Sequence, residues 1–74
     1  MTRGSDDAVV RSWQTDEGWG VLDCPSTPGG CWAHFSAIDA EGFRSLTVGD
    51  RVRLQWEHGD QDGYAFRAVR IQTN

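Results

Sequence analysis

The sequence predicts an all-β domain in which five short antiparallel strands close into one small barrel. Three observations carry that prediction. Short apolar segments sit between turn signals along the chain, with nine glycines among them. Val52, Leu54 and Trp56 alternate with Arg51, Arg53, Gln55 and Glu57, the period-two signature of one buried and one wet face. No segment keeps a helical period, and 74 residues have room for one small domain, where closing the sheet removes exposed edges.

The elements follow in order. Residues 1–7 carry Asp6 and Asp7 and read as a flexible polar tail, so the domain proper spans 8–74. The first strand is expected at 8–13, ending at the polar turn Gln14-Thr15-Asp16-Glu17-Gly18. The second is expected at 19–23, closed by a segment to Gly30 in which two prolines and two glycines stop the ladder. The third covers 31–35, followed by one helical turn over Ser36-Ala37-Ile38 and a loop to Gly49. The fourth is the alternating run 51–57. Residues 58–63 read as a hairpin loop, and the fifth strand as 64–71.

Aromatic side chains concentrate in the first half of the chain. Trp13, Trp19, Trp32, Phe35 and Phe43 fall close together, with His34 among them. In Cys31-Trp32-Ala33-His34 the small residues share one face, which suits a narrow barrel interior, and Trp32 and His34 share the other. With Leu22 in the core, Trp19 also points outward. The second and third strands therefore present Trp19, Trp32 and His34 together, a platform suited to unstacked bases, each stacked base contributing roughly 1–3 kcal/mol. Trp56, in phase with Val52 and Leu54, reads as core.

Composition excludes several classes. Seven arginines, no lysine and eleven acidic residues give a net charge of −4, unlike a general basic nucleic-acid binder. A core of this size supplies only about 3–5 kcal/mol, so no buried multi-step active site is expected. No apolar run approaches the roughly 18 residues that cross a bilayer. The N-terminus lacks the hydrophobic stretch of a secretory signal, and two cysteines make no disulfide scaffold, so a reduced, cytoplasmic protein is expected.

Cys24, Cys31, His34 and His58 do not make a zinc site: Cys31 and His34 fall on opposite strand faces, and no C-x-x-C pair exists. Pairing Cys24 or Asp23 with His34 gives no catalytic site without a nucleophile elbow or phosphate loop, and no enzyme is expected. Neither a metal nor a small-molecule cofactor is implied. Asp60 and Asp62 read as turn residues. Arg51, Arg53 and Arg70 read as solvated strand residues paired with nearby acids, Arg44 as bordering the aromatic patch, and Arg67 as a further candidate to reach it.

Gly18-Trp19-Gly20-Val21-Leu22, followed by Cys31-Trp32-Ala33-His34-Phe35-Ser36-Ala37-Ile38, resembles the two ribonucleoprotein-type motifs of the cold-shock domain. Glu41-Gly42-Phe43-Arg44-Ser45-Leu46, then Gly49 and Val52, continue the match in register, so that it spans about 8–71. The resemblance implies a five-stranded oligonucleotide-binding (OB) barrel that binds single-stranded RNA or DNA, often as an RNA chaperone or transcription antiterminator. It implies stacking by Trp13, Trp19, Trp32, His34, Phe35 and Phe43. By the same resemblance Arg11 meets phosphate or base, Gln14 contacts a base, and Tyr64 and Phe66 close over the ligand. The chain departs from the family at Ser12, where a stacking Trp is usual, at Val21 in place of Phe, at Glu17 in place of Lys, and at Gly30 in place of Asp.

Two readings follow. The leading one is a sequence-tolerant single-strand binder, monomeric or weakly dimeric, with bases on Trp19, Trp32, Phe35 and Phe43, and phosphates on Arg11 and Arg44. The acidic balance then implies few phosphate contacts and a shallow salt dependence. The competing one is a protein-interaction or dimerisation module on the same fold, in which nucleic-acid binding is weakened or lost.

Overall fold

The computed structural model describes residues 2–39 and 45–73. Five strands form one closed barrel: β1 (Arg3–Gln14), β2 (Trp19–Asp23), β3 (Cys31–His34), β4 (Arg51–Gln61) and β5 (Tyr64–Thr73). A 3-10 turn, Phe35–Ala37, follows β3. Around the barrel the order is β1-β2-β3-β5-β4. Every junction is antiparallel except β3 with β5, which run parallel. An odd number of strands cannot alternate all the way round a closed ring, so one parallel junction is a geometric necessity. Among the described residues no helix is long and apolar enough to cross a membrane.

β1 corrects the expected tail. Arg3 to Val9 pair with β4, from Arg3 opposite Glu57 to Val9 opposite Arg51, while Val9 to Gln14 pair with β2. The acidic residues read as a loose tail are fastened from both sides. Arg53 pairs with Asp7 across the ladder, and the Ser26 hydroxyl donates to Asp6 Oδ2 at 2.7 Å. That bond and the Asp7 N–H hold the Asp6 carboxyl below its ordinary pKa. Gly4 lies against the ring of Trp56, where an added Cβ would stand 2.9 Å from Cζ2.

The register slips between Val10 and Ser12, leaving Arg11 as an extra residue of the bulge. Val10 opposes Leu22 inside the barrel, Ser12 opposes Val21 outside, and Trp13 opposes Gly20 inside. The loop expected between the last two strands is shorter than the sequence suggests. β4 runs to Gln61, and Asp62-Gly63 turn with φ values of 50° and 87°. Two consecutive positive φ angles at an Asp-Gly pair make the tight hairpin whose twist matches its strands.

The core is continuous: Ala8 and Val10 from β1, Leu22, Cys31 and Ala33, then Ile38, Leu46, Val52, Leu54, Trp56 and Ile71. Leu22, Cys31, Ala33, Leu54 and Ile71 have no exposed surface. Cys31 and Ala33 fill the inward face of β3 with small side chains, leaving its larger rings, Trp32 and His34, on the other face.

Candidate nucleic-acid interface

β2 and β3 pair with Trp19 opposite His34, Gly20 opposite Ala33, Val21 opposite Trp32 and Leu22 opposite Cys31. The inward members are Gly20, Leu22, Cys31 and Ala33, so the rings are forced outward. Trp19 and Trp32 stand with centroids 6.3 Å apart and planes inclined by 20°. Trp32 and His34 follow at 6.0 Å and 22°. Phe35 extends the row, 4.4 Å from His34 with its plane tilted by 43°, and is 41% exposed. The outcome is a row of four rings, three on the outer face of β2 and β3 and the fourth, Phe35, at the start of the 3-10 turn.

The row is held in place locally. The Phe35 N–H donates to Gly18 O at 2.8 Å, and the Phe35 ring covers Gly18. The Ser36 N–H donates to His34 Nδ1 at 3.2 Å, with the Ser36 hydroxyl 2.8 Å from the same nitrogen. An accepting Nδ1 places the proton of the neutral ring on Nε2, which is thereby a donor. Gln14, paired with Trp19 at the end of β1, has a buried Oε1, and Trp32 has a buried Nε1; neither has a hydrogen-bond partner among the described residues.

Other expected site residues lie elsewhere. Trp13 is not in the row. The bulge at Arg11 turns it inward, its ring fills the space above Gly20, and it packs against the core. Phe66 is also outside the row: it opposes Cys31 in the parallel junction and packs edge-on against Trp56 at 5.3 Å and His58 at 5.5 Å. Tyr64 is half-buried at the start of β5. Phe43 and Arg44 lie outside the described residues. Val21, at a position where the family carries a ring, is buried under Gly30 and the Arg11 side chain.

Among the described residues, the arginines beside the row, Arg11 and Arg67, are already paired. Arg11 Nε donates to Asp23 Oδ2 at 2.9 Å and to Oδ1 at 3.1 Å, and Nη2 also donates to Oδ1. This contact, and more weakly Tyr64, holds the Arg11 guanidinium above its ordinary pKa. Arg67, opposite Trp32 in the β3–β5 register, donates to Glu57. Arg53 pairs with Asp7 and Arg70 with Asp39, as their strand positions suggest. Sequence reading did not find Asp23 or Ser36 as members of the site. Ser36 follows Phe35 directly and Asp23 lies four residues beyond Trp19, but their roles depend on a side-chain cap and a bulge that leave no compositional signal.

Comparison with known proteins decides the family. No protein-family model matches the chain. The cold shock-like protein CspD of Vibrio cholerae is 30% identical over 64 residues, covering 86% of this chain and 84% of that protein. The chain belongs to the cold-shock protein family. The major cold shock protein CspA of Bacillus cereus is 29% identical over 62 residues, covering 84% of this chain and 91% of its own. The CspD-type protein of Haemophilus influenzae is 27% identical over 63 residues, covering 85% and 88%. In this cold-shock domain the two ribonucleoprotein-type motifs cover β2, β3 and the 3-10 turn after β3, and supply all four rings of the row. Cys31 faces the core and His34 the outer face, as strand alternation requires. Among the described residues no cluster of three metal-ligating side chains occurs.

Proposed function

We propose that this cold-shock domain binds single-stranded RNA or DNA by stacking unpaired bases on Trp19, Trp32, His34 and Phe35. The observation that carries this reading is the near-parallel set of Trp19, Trp32 and His34 on one outer face, with 20° and 22° between neighbouring planes. Every base has a π-face, so such a row takes bases with little regard to sequence. His34 Nε2 adds one donor for a base edge. Binding the unpaired strand draws RNA out of its folded forms by mass action, without ATP. That is the chemistry of an RNA chaperone or antiterminator in the cytoplasm, and it needs no catalytic step.

A titration of the protein with short oligothymidine or oligouridine, followed by tryptophan fluorescence, tests the reading. Stacking quenches the emission, and Trp32→Ala weakens binding by about 1–3 kcal/mol. No quenching at tens of micromolar sites, together with concentration-dependent dimerisation, favours the protein-interaction reading instead.

A further inference from the structure

We propose that Asp23 is an internal competitor of the nucleic acid: it occupies the Arg11 fork and so limits how tightly the ring row holds a strand. The inference rests on the stacking reading above and concerns the same site.

The geometry is that of a phosphate contact already filled. Arg11 Nε and Nη2 form the edge of the guanidinium that grips two oxygens of one anion, and both Asp23 oxygens accept from it. Arg11 is the extra residue of the β1 bulge, and its guanidinium lies against Gly30, where an added Cβ would stand 3.0 Å from Nη2 and 2.8 Å from Val21 Cγ1. Val21 is the cross-strand partner of Trp32, so the fork lies at the level of Trp32 on the neighbouring strand. The Arg11 and Asp23 side chains are 43% and 48% exposed, so a phosphate reaches the fork without any movement of the barrel.

Exposed pairs of this kind are weak, and a strand can displace the carboxylate, but part of each phosphate contact is spent on that exchange. The second arginine beside Trp32 is in the same condition, since Arg67 is held by Glu57. Stacking is thereby left as the main source of affinity, and the protein releases its strand readily.

The test measures oligothymidine binding over a salt series for the wild type, Asp23→Asn, Asp23→Asn with Arg11→Gln, and Asp62→Asn. Asp62 sits at φ 50° in the β4–β5 turn, where Asn is tolerated, so this variant matches the charge change alone. Asp23→Asn is expected to tighten binding about three- to tenfold at low salt. Its log–log salt slope should steepen by roughly 0.7, the value of one freed single-strand phosphate contact. Arg11→Gln should erase that gain, and Asp62→Asn should not reproduce it. Circular dichroism confirms the fold of each variant, with Asp23→Ser substituting for Asp23→Asn if Asn disturbs the sheet.

Unchanged affinity in Asp23→Asn, with the wild type still quenched and weakened by Trp32→Ala, overturns the competitor and leaves stacking intact. An equal gain in Asp62→Asn overturns it as a general charge effect. Binding that appears only in Asp23→Asn supports it, and no binding by any folded variant overturns both.

Discussion

The ring of Phe35 occupies the space that a side chain on Gly18 would need. An ideal Cβ at Gly18 would stand 2.8 Å from Phe35 Cδ1, and the backbone there has a φ of +79°. The β1–β2 turn is therefore built to let the outermost ring lie flat against it. Gly18→Ala combines a strained backbone with a steric clash. It is expected to lower stability by about 1–3 kcal/mol in urea denaturation. It should also weaken oligonucleotide binding beyond that loss, because Phe35 is displaced from the row.

The first strand gives a second prediction. Residues 3–7 make five of the seven β1–β4 pairs and cover Trp56 through Gly4. A chain lacking residues 2–7 should show red-shifted emission from a newly wetted Trp56 and a lower denaturation midpoint. Were the segment a free tail, both would be unchanged.

The two thiols should differ sharply. Cys31 has no exposed surface, and burial pushes its pKa up to about 12, whereas Cys24 is half-buried beside Thr27. A thiol reagent under native conditions should label Cys24 quickly and Cys31 only as fast as the barrel opens. Because the folded value lies above the ordinary 9.0, the unfolded chain loses this proton first as pH rises. Stability is then full below about pH 9 and declines towards pH 12, and Cys31→Ala should flatten that decline.

At the acid end the sign is reversed. The Ser26 hydroxyl and the Asp7 N–H hold the Asp6 carboxyl below 3.8, so its contribution is present above that value. It is lost as pH falls through the lower folded value. Ser26→Ala should lower stability slightly above pH 3.8 and flatten the acid limb, converging with the wild type in acid, as read by thermal melts across pH.

Much of this was legible in the sequence, and the misses have physical causes. The limits of β2 follow from the turn at Gly18 and the Pro- and Gly-rich segment after Asp23, and the outward phase of Trp32 and His34 from strict alternation with Cys31 and Ala33. The start of β1 did not, because Arg3 to Asp7 offer no apolar face and are held by backbone pairing and by polar contacts from Arg53 and Ser26. Trp13 was displaced from the expected row by one extra residue at Arg11, and a bulge leaves no periodic mark. Phe66 turns inward because the β4–β5 register slips between Arg70 and Ala68, which puts it on the same face as Ile71 five residues later, and a bulge of this kind leaves no periodic mark. The Arg11–Asp23 fork depends on that same bulge, so the masking of the site's charge could not be read from the net value of −4.

Nitrogen-15 NMR of the four tryptophan indoles during an oligothymidine titration tests the central claim most directly. The indole signals of Trp19 and Trp32 should shift together with the amides of His34 and Phe35, while that of Trp56, buried in the core, stays in place. Saturable shifts confined to other surfaces, or none at Trp19 and Trp32 at high oligonucleotide, would contradict the account.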